Sequence, residues 1–495
     1  MDLVADGAIA AGKPVIITSG GKAAQVAVAN VAYGPSNGSS WEASSTYYES
    51  HHIAQDGTNT GWIVAAYGDD TSGSNRVRLR AHNFSTGSSG SEVHLTSTNG
   101  FSSVGRLSGI FYCTTRQMFV FSWVSQYNSS SSTTQFGTFT LSNSGVITFQ
   151  ARTTDSGKRT HDIEYAGNGK FFSVYRLMSN DAARIAGPHT INSNGTITLN
   201  SSELDFITWN NSPATHIGRL RFNSDYSKFV IGYTRTSNYN AYARVGSWNG
   251  SGGAGSGAMS LGSELNLSGS GISGYDWQSG FDLCCDKTSG KWVASYGFSS
   301  GSKAKCITNS SGTNIAAGSQ LSIDSENADG RFRVHDNPTV NNVVTWAGRY
   351  TSGFGAINLT ISGTNTLSKG TMYQMVGNSP SEHGVGITGL DKIYVINRND
   401  GSNDTKIYRV TVAAAGSNFS SDQRNFLGFA EDAISDGNTG TITLAGNIVG
   451  NQSGLTPGLL YKTNNDGTLT QSWGNGEVGL LAIASDKGQV VRSLQ

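Results

Sequence analysis

One strand-like phrase recurs seven times along the chain, and that recurrence limits the fold more than any other feature. It reads GWIVAAY ending at Tyr67, MFVFSW at Trp123, GKFFSVY at Tyr175, SKFVIGY at Tyr233, GKWVASY at Tyr296, NVVTW at Trp346 and DKIYVIN at Asn397. These landmarks lie 56, 52, 58, 63, 50 and 51 residues apart. A near-constant period of this length is the mark of a repeat architecture. Around each landmark the same unit can be read. A strand precedes it, such as THDIEYAG or SGFDLCCD, and a Gly/Asn/Asp/Ser turn such as GDDTSGSN or RNDGSND follows. A third strand then alternates with period two, as in RVRLRAHNF (76–84), AYARVGSW (241–248) or TKIYRVTV (405–412). A fourth apolar segment closes most units, such as SEVHLTS, VITFQA or TITLNS. Four antiparallel strands in about 50 residues make a propeller blade. The expected fold is therefore all-β, a seven-bladed β-propeller over 33–412.

After Val412 the seventh unit lacks its closing segment, and a linker-like run occupies 413–424. The segment GSSWEASSTYY (38–48), ahead of the first landmark, has the look of an outer strand. It is expected to complete the last blade, so that the two ends of the array exchange a strand. Residues 1–32, with PVIITSGG and AAQVAVANV, and 425–495, with turn dipeptides Asp436-Gly437 and Asp466-Gly467, lie outside the array. Neither piece is long enough for a core of its own. Together they are expected to form one small β-barrel-like domain.

Composition narrows the function classes. The chain has 34 basic and 34 acidic residues, so it carries no electrostatic footprint for nucleic acid and no polybasic membrane patch. Aromatics at 10% argue against disorder. No run approaches the ~20 apolar residues of a spanning helix. Asp2 and Asp6 stand where a signal peptide would carry Lys or Arg, so no secretion signal is expected. Cys113, Cys284, Cys285 and Cys306 show no metal spacing and read as buried thiols. Neither a metal nor a cofactor is expected.

The chemistry-bearing residues cluster at the starts of the first strands. His52, Arg106, His161, His216, Asp282, Arg333 and His383 each fall shortly before a landmark, and together suggest a polar ring at one channel mouth. Such a ring would suit an anion or a partner's acidic terminus. The plainer reading is that these side chains bond the backbone of the neighbouring unit, as buried polar groups must. Glycoside hydrolysis needs two converging carboxylates. Asp162, Glu164, Asp282, Asp336 and Glu382 lie in this layer with no evident common register, so no enzymatic activity is expected. Tyr239, Tyr242, Trp248 and Tyr350 are candidate sugar-stacking rings or packing residues.

The two ends carry a more specific resemblance. The tail FLGFAEDAISDGNTGTITLAGNIVGNQSGLTPGLLYKTNNDGTL resembles a module found at the ends of tailed-bacteriophage structural proteins, marine phages especially. Phe426–Ala430, Ile434–Gly437, Gly454–Tyr461 and Asp466–Leu469 stand at the places of its FLGIA, ISDG, GL-x-x-G-x-xYY and DGTL motifs. The head ADGAIAAGKPVIITSGGKAAQVA resembles its opening half, and the xK-[FW]-V-x-x-Y units resemble the array carried between the halves. The resemblance implies a virion structural protein without catalytic residues: a tail fibre, tail tip, nozzle or capsid appendage, made in the host cytoplasm and located on the particle. Its implied partners are other virion proteins and copies of itself, with a host-surface glycan or receptor as a further one, and neither nucleic acid nor an inserted membrane. A carbohydrate-binding propeller is the alternative reading, ahead of a propeller glycoside hydrolase.

Overall fold

The structure, a computed structural model, describes residues 1–5, 9–17, 21–26, 32–33, 39–42, 51–55, 61–69, 76–83, 88–95, 105–125, 132–177, 182–207, 215–235, 238–272, 280–298, 301–323, 332–336, 342–350, 353–370, 372–376, 380–388, 392–399, 405–411, 426–435, 437–463, 468–471 and 478–492. Two compact units are present. One comprises Met1–Ala32, Lys369–Met372 and Val412–Gln495; the other comprises Tyr33–Ser368 and Tyr373–Thr411. The expected linker, 413–424, lies outside the described residues.

The larger unit is built, among the described residues, of seven antiparallel sheets whose strand order follows the chain. In the first they are His51–Gln55, Trp62–Asp69, Arg76–Asn83 and Ser89–Leu95. The recurring phrase is the second strand every time: Trp62–Asp69, Met118–Ser125, Lys170–Leu177, Lys228–Arg235, Lys291–Phe298, Val343–Tyr350 and Lys392–Asn399. Its sequence is apolar without alternation because neighbouring sheets cover both of its faces; every residue of Met118–Ser125 is buried. One core joins Val64 and Leu79 of the first sheet to Phe119 and Trp123 of the second. Another joins Phe172 of the third to Phe229 and Tyr233 of the fourth, and a third joins Val230 and Val245 to Trp292 and Tyr296 of the fifth. Close approach is enforced at Gly145 (φ +79°), where a Cβ would sit 2.3 Å from the Trp62 ring.

The closing edge departs from four simple strands. In sheets three to six the third strand pairs with two short segments rather than one long strand, for example Ile197–Thr198 and Glu203–Ile207 on Ala183–Ile191. In the last sheet the edge comes from the head of the chain. Ser39–Glu42 pairs with Thr405–Thr411 in the register Thr405↔Glu42, Lys406↔Ser40 and Ile407↔Ser39.

The landmark Tyr anchors this edge. Tyr296 Oη donates to Gln320 Oε1 or to Leu267 O, both at 3.0 Å, and Tyr233 Oη is bonded to Glu264. Glu264 and Gln320 occupy the same place in GSELNL (262–267) and GSQLSI (318–323). Tyr296→Phe is expected to cost about 1–3 kcal/mol, because Leu267 O and Gln320 lose a buried donor. An unchanged urea midpoint for this variant would show that the clasp contributes nothing.

In the smaller unit, head and tail interleave. One five-stranded sheet runs Asp2–Val4, Thr439–Leu444, Phe426–Ala430, Pro14–Ile17, Ala23–Gln25. Ile9 bridges Ile434, and a parallel bridge joins Ala5 to Ala23. The second sheet runs Ile448–Val449, Lys487–Arg492, Val478–Ala484, Leu460–Thr463, Leu469–Thr470. Ile16, Phe429, Tyr461, Val478 and Val490 share one core between the two sheets. Val15, Ala23, Ile434 and Ile442 share another on the opposite face of the first sheet.

Candidate functional site

The polar residues of the first strands meet between the third, fourth, fifth and sixth sheets. Asp162 lies opposite Val174, Arg219 opposite Gly232 and Asp282 opposite Ser295. Each partner is the residue just before the landmark Tyr, so these three charges share one register. Of the five acidic residues expected to have no common register, Asp162 and Asp282 do share one, whereas Glu164 opposite Phe172, Asp336 opposite Val344 and Glu382 opposite Arg398 do not. The misreading has a physical cause. Bulges place one extra residue in the first strands of the second, third and fourth sheets, between Leu107 and Gly109, Thr160 and Asp162, and Thr215 and Gly218. An extra residue reverses which side chains share a face, and counting back from a landmark then selects the wrong neighbour.

From this register the charges bridge adjacent sheets. Asp162 Oδ2 accepts from Leu220 N at 3.0 Å and from Arg221 Nη1 at 2.5 Å. Glu164 Oε1 accepts from Phe222 N at 3.3 Å. Asp282 Oδ1 accepts from Arg219 Nε at 3.3 Å, and its Oδ2 accepts from Val334 N at 2.8 Å. Arg219 Nη1 also donates to His161 O at 2.8 Å. Three carboxylates, Asp162, Glu164 and Asp282, thus fasten the first strand of their own sheet to that of the next. Two residues further along, Trp292 Nε1 and Lys287 Nζ donate back to Arg221 O and Phe222 O at 2.8 and 2.6 Å.

The electrostatics follow from this packing. Burial alone would raise the Asp282 carboxyl, but Arg333, Arg219 and Arg221 around it hold it below the usual carboxylate range. Burial raises Glu164, with Arg221 and Lys287 opposing. Arg333 is brought down to about 10 by burial, partly offset by Asp282, with Arg219 adding to the fall.

Of the residues expected to form the ring, three are seen in this network. Asp282 is central; Arg333 is buried and donates to Phe332 O at 2.9 Å; His161 is buried at its bulge and contributes its carbonyl. His52 is half-buried opposite Ala66, in the first sheet. The backbones of Arg106, His216 and His383 are placed in first strands, and their side chains lie outside what the structure describes. The residues missed by sequence are Arg219 and Arg221; Asp162 and Glu164 are legible in this layer without their partners. Their signal is the pairing of D-x-E in HDIEY with R-x-R in GRLRF, which puts two acids and two arginines on facing sides of consecutive first strands.

A buried serine and histidine also meet, and their roles can be assigned. Ser173 Oγ lies 3.0 Å from His189 Nε2, while His189 Nδ1 accepts from Asn200 N at 3.1 Å. Because Nδ1 is the acceptor, Nε2 carries the proton and donates to Ser173. This imidazole therefore cannot take the serine proton, and burial, reinforced by Lys158, lowers it to about 3. Trp248 and Tyr242 are buried between sheets, whereas Tyr239 is exposed. Tyr350 has no described side chain. All four cysteines are free and buried. Among the described residues no three His, Cys, Asp or Glu are grouped to hold a metal, and no helix is long and apolar enough to cross a membrane.

No family model matches this chain, and no curated protein matches it. Solved propeller structures resemble it at low identity. The periplasmic gluconolactonase of Pseudomonas aeruginosa is 10% identical with a TM-score of 0.43, covering 77% of this chain and 99% of that one. The WD40 domain of Toxoplasma gondii coronin is 9% identical with a TM-score of 0.41, covering 81% and 92%. The β-propeller domain of the trilobed protease of Pyrococcus furiosus is 7% identical with a TM-score of 0.40, covering 75% and 98%. At such identities the likeness concerns the arrangement of strands alone. It nevertheless corrects the expectation of a chain without enzymatic activity, since a gluconolactonase and a protease domain stand beside a WD40 domain among the similar structures. This arrangement of sheets leaves both classes open.

Proposed function

We propose that the chain is a structural component of a tailed-phage particle, with a seven-bladed ring and a small attachment domain made from both chain ends. The observation that carries the reading is the interleaved sheet of the smaller unit. The residues that resemble the phage module, Phe426–Ala430 and Ile434, pair with Pro14–Ile17 and Ile9 of the resembling head. A module split by an inserted array requires this pairing. Closure of the seven sheets is supported by the neighbour relations of the first strands. Each lies beside the next in chain order, and Pro380–Thr388 lies beside His51–Gln55. A barrel-like base is supported by the Ala5–Ala23 bridge, which connects the two ends of the first small sheet.

The test is to purify tailed particles from a lysate producing this chain, measure its copy number by mass spectrometry, and label it with antibody for electron microscopy. A fixed stoichiometry and label at one place on the particle are expected. Chain that stays in the soluble fraction after particle purification would defeat the reading.

A further inference from the structure

His189 sits where the closing edge of the third sheet is divided, and both of its ring nitrogens are committed. It lies near the end of that sheet's third strand (Ala183–Ile191) and is 0% exposed. The rings of Phe171, on the second strand of the same sheet, and Phe136, on the third strand of the second sheet, stand 5.0 and 5.8 Å from it. Nε2 donates to Ser173 Oγ at 3.0 Å, and Nδ1 accepts from Asn200 N at 3.1 Å. Asn200 belongs to the hinge 199–202 that separates the two edge pieces, Ile197–Thr198 and Glu203–Ile207. Two further bonds hold this hinge: Asn200 Oδ1 accepts from Ser202 N at 2.8 Å, and Ser202 O accepts from Gly187 N at 3.3 Å.

The hinge is also a point of contact with the fourth sheet. A Cβ on Gly253 would sit 2.2 Å from Ser202 Oγ, and one on Gly255 would sit 2.4 Å from Glu203 O. The glycine-rich segment between Trp248 and Met259 therefore lies directly against residues 202–203, and what positions the hinge also positions this contact. A second proton on the imidazole would go to Nδ1 and turn the acceptor of the Asn200 amide into a donor. Two N–H groups would then face each other, and the cation would stand between phenyl rings in a site closed to solvent. Lys158, at the start of the first strand, adds a positive charge nearby and is itself paired with Asp155 and Glu203, each at 3.1 Å. Further along the second and third strands Tyr175 lies opposite Arg184, which is paired with Glu203 and Asp205. Neither Thr133–Leu141 nor the hinge carries a titratable side chain.

We propose that His189 is an acid-release pin: uptake of a proton at Nδ1 expels the Asn200 amide, frees the 199–202 hinge and loosens the contact of the third sheet's edge with the fourth sheet. The neutral ring is the closed form. Burial, with Lys158 adding to it, lowers the imidazole to about 3 against an ordinary 6.5. The opened chain therefore binds this proton at pH values where the closed chain does not. The pin's stabilisation is complete above about pH 6.5 and is lost as pH falls from there toward 3. Within that window each pH unit favours the open hinge by about tenfold.

The test uses the intact chain. Hydrogen exchange of the peptides containing the Asn200 and Ser202 amides, corrected for intrinsic rates, is measured at pH 7.5 and pH 5, where ordinary carboxylates stay ionised. Wild type is expected to exchange at least about tenfold faster at pH 5 after correction, while the second strand of the fourth sheet, Lys228–Arg235, does not change. His189→Asn sets toward Asn200 N a carboxamide oxygen that takes up no proton, and is expected to remove the pH dependence. Should that variant fold poorly, NMR of wild type with labelled histidine is the second readout, with His189 expected to stay neutral down to pH 5. Three results would overturn the proposal: equal corrected exchange at the two pH values in wild type, an undiminished pH dependence in folded His189→Asn, or a His189 signal that titrates near the ordinary 6.5 in the folded chain.

Discussion

Asp282→Ala is expected to be the most damaging single substitution in the larger unit, at about 3–5 kcal/mol. The carboxylate is 2% exposed and uses both oxygens, one for Arg219 and one for Val334 N. Its removal leaves Arg219, 3% exposed, without its carboxylate, and strips the acceptor from a backbone amide of the sixth sheet. Uncompensated buried charge is what makes breaking such a pair so costly. Asp282→Asn should fall between, because the amide oxygen can still serve Val334 while the charge is lost. Urea unfolding followed through tryptophan fluorescence checks the order. Asp282 is held low in the fold, so its stabilisation is present above the unfolded value near 3.9 and is lost as pH falls through the lower folded value. A cost under about 1 kcal/mol for Asp282→Ala would mean that the network is incidental to packing.

The second strands were legible because burial on both faces writes an unbroken apolar run, and seven such runs at one period leave little choice of architecture. The head strand on Thr405–Thr411 was legible by subtraction, since the last unit lacked an edge and Ser39–Glu42 had the composition of one. The polar network was not. Periodicity in the first strands is broken by one-residue bulges, and no propensity announces a bulge within THDIEY or ATHIGRL. Counting from the landmarks therefore reached His161 and His216, while the charges that enter the network are Asp162 and Arg219, one and three residues further on. Their function as fasteners also depends on which sheet lies next door, and that is tertiary information. The divided closing edge shows the same limit. The closing segment TITLNS holds only the first of two edge pieces, since Ile197–Thr198 and Glu203–Ile207 pair separately on Ala183–Ile191.

The largest expected effect in the smaller unit is the collapse of the tail when the head is removed. Phe426–Ala430 lies between Pro14–Ile17 and Thr439–Leu444, so deleting residues 1–26 exposes its edge along the register Pro14↔Phe429, Val15↔Gly428 and Ile16↔Phe426. The deletion also opens both cores of the unit, because Ile16, Ala24 and Val26 belong to one and Ala5, Ile9, Val15 and Ala23 to the other. Seven apolar side chains are lost, all at most 2% exposed, and burial of each larger one is worth about 1.5–3 kcal/mol. A sum of that size is comparable to the whole stability of a small unit. Limited proteolysis of the truncated chain should therefore cut within 426–492 while the sheets between 105 and 323 resist. The exposed edge of Phe426–Ala430 should promote association. A synthetic peptide of residues 1–26 should restore protection, since register and packing are specified by contacts the peptide retains. A tail that stays protease-resistant without the head would show that the second sheet, Val478–Ala484 with its neighbours, is a folding unit of its own, and that the head is an addition to it rather than half of it.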